Sequence, residues 1–389
     1  MKKVRILICH SRMVVGGIEA ALLNLMKRLD PDLYDIDLLL IDDKGEFFDR
    51  IPKYVNIFFD ENIKKLGNTP KQVFFHELKK FRLVSAVKIL FCRLKHSGDP
   101  EVYYGCCVKK MPRKQYDIAI NYNNWASYFA LYIDKCVKAK EKLFFLHNEP
   151  VYNRCVEEGQ YPIRGVEKTL AGYTRLVGVS DSVTKKFAEL LPQYAEKCCT
   201  IYNFIDVEQI KAKAREFYPK EFSTQTINIL SVGRLVAQKN FIVIPEVCKI
   251  LLESNVKFKW FIVGDGPQKD TIKAEIGRNN LSDNVVLLGT KLNPYPYFKY
   301  CDVYCQTSIS EAYCITVAEA RIFKKLVVST EFMGIDEQLN NGEGGIIVEN
   351  NSNAIAAGLI KALPLDECEK EKYLECSEFP NLVEKNSAD

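Results

Sequence analysis

The feature that most limits how this chain can fold is a set of short, nearly continuous apolar runs in two separate series. The first series occupies residues 4–9, 36–41, 55–59, 117–120, 142–146 and 176–179. The second occupies 227–233, 258–264, 285–289, 303–305, 326–329 and 346–348. Runs this short and uniformly apolar, each closed by a polar or glycine turn, read as parallel strands buried on both faces. Between runs the apolar spacing becomes helical. Ile18, Leu22, Leu25 and Leu29 predict a helix over 18–29, and Ser180-Asp181-Ser182 offers N-caps for another over 183–191. Such alternation implies right-handed βαβ units and doubly wound sheets. The stretch 207–226 is charged and lacks strands, so the break is placed at Tyr202-Asn203-Phe204-Ile205-Asp206. The expected architecture is α/β, with two Rossmann-like doubly wound domains at 1–203 and 204–365 and a tail at 366–389. Open α/β sheets bind ligands beyond the carboxyl ends of their strands, so a cleft between the two domains is the expected site.

Charge is shared unequally between the two series. Residues 1–200 hold 33 Lys+Arg against 24 Asp+Glu, whereas 201–389 hold 21 against 26. The basic excess is concentrated at 79–95, an acid-free stretch with apolar residues at 83, 87, 90 and 94. Two readings stay open. A helix with a basic rim can lie on an anionic bilayer, or it can pack on a sheet with its lysines solvated. Nucleic acid is not an expected partner, because no aromatic–basic platform accompanies the cluster. No apolar run reaches the roughly 18 residues a spanning helix requires, and the apolar segment behind Met1-Lys2-Lys3 is too short for a signal peptide. The expected placement is cytoplasmic, peripheral on the inner membrane face if 79–95 binds lipid. The 14 cysteines form no C-x-x-C pattern. Cys106-Cys107 and Cys198-Cys199 suit neither zinc nor simple disulfides, so the cysteines read as small buried hydrophobes in a reducing compartment.

Four motifs carry candidate chemistry. Gly16-Gly17-Ile18-Glu19 follows the first strand, where glycines let backbone approach a ligand and a helix start favours an anion. A plain tight turn is the alternative, and no G-x-G-x-x-G is present. Gly233-Arg234 with Lys239 follows the first strand of the second series; a guanidinium and an ammonium there suit a diphosphate. Glu311 and Glu319 flank Ala312-Tyr313-Cys314-Ile315-Thr316, with Glu311 in a loop and Glu319 one turn inside a helix. The N–H groups of Cys314, Ile315 and Thr316 are expected to stand unpaired at that helix start, ready for phosphate. His147, in Leu146-His147-Asn148-Glu149-Pro150, ends a strand of the first series and is either a ligand contact or a structural histidine.

Gly16-Gly17, Gly233-Arg234 with Lys239, Val263-Gly264-Asp265-Gly266-Pro267, and Glu311 with Glu319 occur in that order and together resemble the retaining nucleotide-sugar glycosyltransferases of the GT-B fold, glycosyltransferase family 4. The resemblance covers residues 1 to about 350. The opening is similar to bacterial members that build capsule and exopolysaccharide. The resemblance implies that Arg234 and Lys239 clamp the donor diphosphate and that Glu319 accepts ribose hydroxyls. It also implies that Glu311 holds the sugar ring, that the N–H groups behind it hold sugar and phosphate, and that His147 contacts the donor sugar near the reacting carbon. Gly17 lines the phosphates or the acceptor, beside Gly16, and Gly233 and Gly264 belong to the donor-binding set. It implies sugar transfer from a nucleotide diphosphate, UDP by family likeness, to a lipid-linked or growing surface glycan. No resident cofactor is expected and no metal, since two cations are at hand.

One departure stands out. The family's glutamate loop is glycine-rich, whereas Ala312, Tyr313 and Cys314 fill it here, which strains the loop if it needs positive φ. A GT-B nucleotide-sugar epimerase and a non-catalytic sugar-nucleotide-binding protein are the competing readings. The sequence does not specify the sugar, the linkage, the acceptor or the oligomeric state, and the role of the tail stays open.

Overall fold

The computed structural model describes residues 2–59, 115–123, 128–148 and 169–363. The basic stretch 79–95, Cys106-Cys107, Glu149-Pro150 and the tail 366–389 lie outside them. The chain forms two compact units that divide between Ile201 and Tyr202, with Ser180–Ser182 grouped with the second.

The first unit runs β1 (Val4–Cys9), α1 (Gly17–Arg28), β2 (Tyr34–Leu40), β3 (Asn56–Phe59), β4 (Tyr116–Asn121), α2 (Tyr128–Cys136), β5 (Ala139–Leu146), β6 (Arg175–Gly178), α3 (Asp181–Leu190) and β7 (Cys198–Thr200). Among the described residues its strands form one parallel sheet in the order β3-β2-β1-β4-β5-β6-β7. The order reverses between β1 and β4, where Ile6 faces Ile118 and Cys9 faces Asn121. The apolar runs formed the strands they predict. β7 was not foreseen, because Cys198-Cys199-Thr200 is too short and mixed to register as an apolar run. It pairs with Leu176, Val177 and Gly178 as a short edge strand, the kind of edge least open to further pairing.

The second unit runs α4 (Val207–Lys213), β8 (Ile227–Val232), α5 (Ile244–Glu253), β9 (Phe258–Val263), α6 (Lys269–Arg278), β10 (Val285–Gly289), α7 (Tyr295–Tyr300), β11 (Val303–Gln306), α8 (Ile315–Ile322), β12 (Leu326–Thr330), α9 (Ile335–Gln338), β13 (Ile346–Val348) and α10 (Ser352–Ala362). Its parallel sheet is ordered β10-β9-β8-β11-β12-β13, with the reversal between β8 and β11.

β9 shows why continuous apolar runs mean burial on both faces. Phe258, Trp260 and Ile262 enter one core, while Phe261 and Val263 enter the other. Trp260 is fully buried and its Nε1–H donates to Ser231 Oγ at 3.0 Å; that hydroxyl donates to the Cys305 carbonyl at 2.6 Å. The largest ring of the core therefore carries no unsatisfied polar atom, and cutting it to alanine would cost about 3–5 kcal/mol. All eight described cysteines are free thiols, five of them buried, in keeping with use as small core residues.

Two glycines set the frame of the second unit's ligand-facing end. Gly264, after β9, has φ +146°, and a Cβ there would overlap the Gly233 carbonyl oxygen after β8. The two turns touch through bare backbone, which only glycine permits.

Candidate functional site

The second unit gathers its motif residues at the carboxyl ends of β8 and β11, the strands that flank its point of reversal. Crevices at such points are where open α/β sheets bind ligands. The turn after β8 carries Gly233, Arg234 and a short 3-10 segment, Ala237–Lys239, ended by Asn240 in the left-handed region (φ 52°). The loop after β11 is stitched to it. Gln238 Nε2 donates to the Ser310 carbonyl at 2.7 Å, Ile309 N–H donates to the Gln238 carbonyl at 2.8 Å, and Thr307 Oγ1 donates to the Lys239 carbonyl at 2.8 Å.

This stitching brings Lys239 and Glu311, 72 positions apart, into a direct ion pair. Both side chains are largely buried, 17% and 11% exposed. Burial pulls the Lys239 ammonium down, but the Glu311 carboxylate outweighs it and holds the ammonium above its ordinary value. Arg234 stands exposed on the same turn, and its charge works against that of Lys239. Lys239 thus pairs with the carboxylate, while Arg234 lies close enough for its charge to be felt at Lys239.

A chain of buried hydrogen bonds fixes Glu311 from behind. Tyr304 OH donates to Gln306 Oε1 at 2.6 Å, Gln306 Nε2 donates to Ser308 Oγ at 2.6 Å, and Ser308 Oγ donates to Glu311 Oε1 at 2.7 Å. Thr316 Oγ1 joins the same Gln306 oxygen at 3.2 Å. Thr330 Oγ1 and Asn350 Nδ2 both donate to the Ser308 carbonyl, at 2.6 and 3.2 Å. A buried network satisfied at each link is rigid, so the carboxylate is aimed before any ligand arrives. Gln306 and Ser308 were missed at the sequence level. The only signal was polar residues continuing a buried strand past its last apolar position.

The expected row of N–H groups needs one correction. Cys314 N–H is taken. It donates to Gln338 Oε1 at 2.9 Å, and Gln338 Nε2 returns a bond to the Cys314 carbonyl at 2.9 Å. A side-chain amide 24 positions on closes the loop, which no local pattern discloses. The first two amides of α8, Ile315 and Thr316, remain at a helix start with no side-chain cap. The expected strain is also absent: none of Ala312, Tyr313 and Cys314 has positive φ, and Cys314 is extended (φ −85°, ψ 98°). The Ala312 carbonyl accepts from Ser180 Oγ at 2.9 Å, and the Tyr313 ring meets Tyr202 edge-on at 6.1 Å. Glu319 is the fifth residue of α8 and buried. Burial pushes its carboxyl up to about 8, partly offset by a hydrogen bond from Tyr295.

In the first unit, Gly16 precedes α1 and Gly17 opens it. Glu19 folds back towards Gly16, and its Oε1 faces His10 Nε2 at 3.4 Å. His10 Nδ1 donates to the Tyr122 carbonyl at 3.2 Å. The Tyr122 ring is 4.4 Å from the ring of His147, which also stacks on Phe145 at 5.6 Å. His10, Tyr122 and His147 follow β1, β4 and β5, three adjacent strands, so the sheet order itself assembles the cluster. His147 is 7% exposed, and among the described residues neither ring nitrogen has a hydrogen-bond partner. Burial, and secondarily the charge of His10, lower its pKa to about 3, which leaves a neutral imidazole. His10 and Tyr122 went unnoticed in the sequence, although each is the first residue past a strand.

The sheet orders define a two-unit α/β protein of the GT-B type, with a turn after β8 that carries Arg234 and Lys239. Comparison with known proteins agrees. Residues 213–378, most of the second unit, match the family model of glycosyl transferases group 1. The chain is 33% identical over 177 residues to the Campylobacter jejuni N-acetylgalactosamine-N,N'-diacetylbacillosaminyl-diphospho-undecaprenol 4-alpha-N-acetylgalactosaminyltransferase, covering 45% of this chain and 47% of that one. It is 27% identical over 204 residues to the Staphylococcus aureus poly(ribitol-phosphate) alpha-N-acetylglucosaminyltransferase, covering 52% and 39%. It thus spans about half or less of the length of these two relatives. Among solved structures, Anabaena HepE in complex with UDP shares the fold over 99% of this chain and 98% of its own, with a TM-score of 0.68 and 16% identity.

Proposed function

We propose that the protein is a retaining, metal-independent glycosyltransferase that moves a sugar from a UDP-sugar to a glycan growing on a lipid-linked carrier, of the capsule or exopolysaccharide type. The observation that carries this reading is the aimed Lys239–Glu311 pair beside Arg234, at the point of reversal of the unit that matches the group 1 family. The leaving group is a nucleoside diphosphate whose negative charge grows as the glycosidic bond breaks. Arg234, Lys239 and the first N–H groups of α8 stabilise that charge more in the transition state than in the ground state, without a metal. Glu311, released from Lys239 by the diphosphate, accepts hydroxyls of the donor sugar. Glu319 meets the ribose as a carboxyl that changes protonation near neutral pH. His147, neutral and unpartnered, contributes a hydrogen bond near the reacting carbon. Retention follows front-face attack, with the leaving phosphate taking the acceptor proton. UDP is favoured by the HepE complex, and a lipid-linked acceptor by the undecaprenol diphosphate in the name of the Campylobacter relative. Membrane contact through 79–95 belongs to the same proposal.

Thermal unfolding with UDP, GDP, ADP and their sugar conjugates in EDTA tests the donor half. Ligand at ~100 times its Kd adds about 2.7 kcal/mol. A shift with uridine compounds alone is the expected result, and no shift with any nucleotide refutes the reading. Anomeric analysis of the product made on a lipid-diphosphate-linked saccharide tests the rest.

A further inference from the structure

A second surface of the donor unit has chemistry that sugar transfer does not use. Of the six large apolar side chains exposed among the described residues of this unit, three lie in one patch: Phe217 (41% exposed), Tyr218 (50%) and Leu292 (55%). The patch is continuous. Asn293 Nδ2 ties the second segment to the first, donating to the Lys213 carbonyl at 2.9 Å and to Glu216 Oε2 at 2.7 Å. Phe217 meets Tyr297 edge-on at 5.9 Å, and Tyr218 meets Tyr300 edge-on at 4.8 Å. Tyr297 in turn packs on Phe222, which packs on Phe261 of the sheet. The outward rings are therefore held in place by the core, so little side-chain freedom is lost when something covers them.

Charge around the patch is the reverse of the unit's own. Residues 201–389 carry 21 Lys+Arg against 26 Asp+Glu, yet the two segments that build the patch, 208–221 and 291–300, carry six against three. Lys299 lies over the Tyr300 ring at 4.7 Å and Lys291 over the Tyr297 ring at 5.8 Å. Fixed aromatic side chains rimmed by lysines match the headgroup layer of a membrane. There the rings sit at the apolar boundary and the cations face anionic lipid. We infer that this patch is a docking surface for an anionic lipid bilayer. It is built from other parts of the sequence than 79–95, and it deepens the lipid-linked-acceptor reading, on which its purpose rests.

Cosedimentation with phosphatidylglycerol–phosphatidylcholine vesicles, against pure phosphatidylcholine, tests it. Wild type is expected to partition to the anionic vesicles. F217S/Y218S/L292S is expected to lose at least about tenfold in partition coefficient, and K291E/K299E about 25-fold or more, at roughly fivefold per cation removed. All substituted side chains are at least partly exposed, and unchanged thermal stabilisation by UDP certifies each variant as folded. F217W adds a direct readout, since lipids brominated near the headgroup should quench the new tryptophan. Variants that bind vesicles as wild type does overturn the proposal, as does an unquenched F217W. Concentration-dependent dimers that the triple substitution abolishes overturn it in favour of a second copy. If UDP stabilises all forms while vesicle binding ignores the patch, the docking surface fails and the enzyme reading stands. If UDP stabilises none, the enzyme reading fails first.

Discussion

The two units build their ligand-facing ends from the same sheet logic and leave them in opposite electrostatic conditions. In the second unit the key charges are matched: Lys239 holds Glu311, and Ser308, Gln306 and Tyr304 back the carboxylate. In the first, His147 is buried with both nitrogens unmatched among the described residues. A matched site is rigid and costs the fold little. An unmatched one carries a desolvation penalty that a ligand hydroxyl can relieve. The difference separates a region that aims its groups in advance from one that completes its bonding only with a partner.

The largest effect that would break this contrast comes from Lys239. K239A should lower kcat/KM for transfer by about 10²–10³-fold, as loss of one donor to a developing anion does. It should also destabilise the fold by leaving Glu311 buried and unmatched. K239A/E311Q should unfold at higher denaturant than K239A alone, and additive losses in urea titrations would contradict a coupled pair. Next is pH. Glu319 has a folded pKa of about 8 against an ordinary 4.5, so the folded state binds the extra proton and stability falls as pH rises from 4.5 to 8. His147 runs the other way: folded at about 3 against 6.5, it costs stability as pH falls from 6.5 towards 3. Unfolding curves across pH should show two arms of a few kcal/mol at most, the alkaline one flattened by E319Q and the acid one by H147F. A shared arm would erase the distinction between units. G264A should destabilise by about 3 kcal/mol, since positive φ and overlap with Gly233 coincide. It tests whether the second unit's frame is backbone rather than side chain. The smallest effect has the opposite sign. H147F should leave stability at pH 7 unchanged or raise it by about 1 kcal/mol while lowering transfer, measured by calorimetry and product release.

Much of the fold was legible because parallel strands buried on both faces write themselves as local runs, as Phe258-Lys259-Trp260-Phe261-Ile262-Val263 does. What escaped depends on non-local pairing. β7 exists because β6 offers it an edge. The amide of Cys314 is spent because Gln338 returns to it from another helix. The residues of the Lys239–Glu311 pair could be named separately, but nothing in the spacing says that they meet. His10 and Tyr122 become neighbours only through a strand order that skips from β1 to β4. The loop 312–314 reads as a defect against a glycine pattern, yet none of its residues has positive φ, a property of backbone path and not of residue type.

The Lys239–Glu311 pair also sets a threshold for entry. A small anion with nothing to offer Glu311 must part the lysine from its carboxylate and leave that carboxylate stranded, a loss of about 3–5 kcal/mol. A molecule with hydroxyls beside its phosphates gives both residues a replacement at once. If the proposed donor reading holds, inorganic phosphate should compete poorly with a sugar nucleotide in thermal-shift titrations.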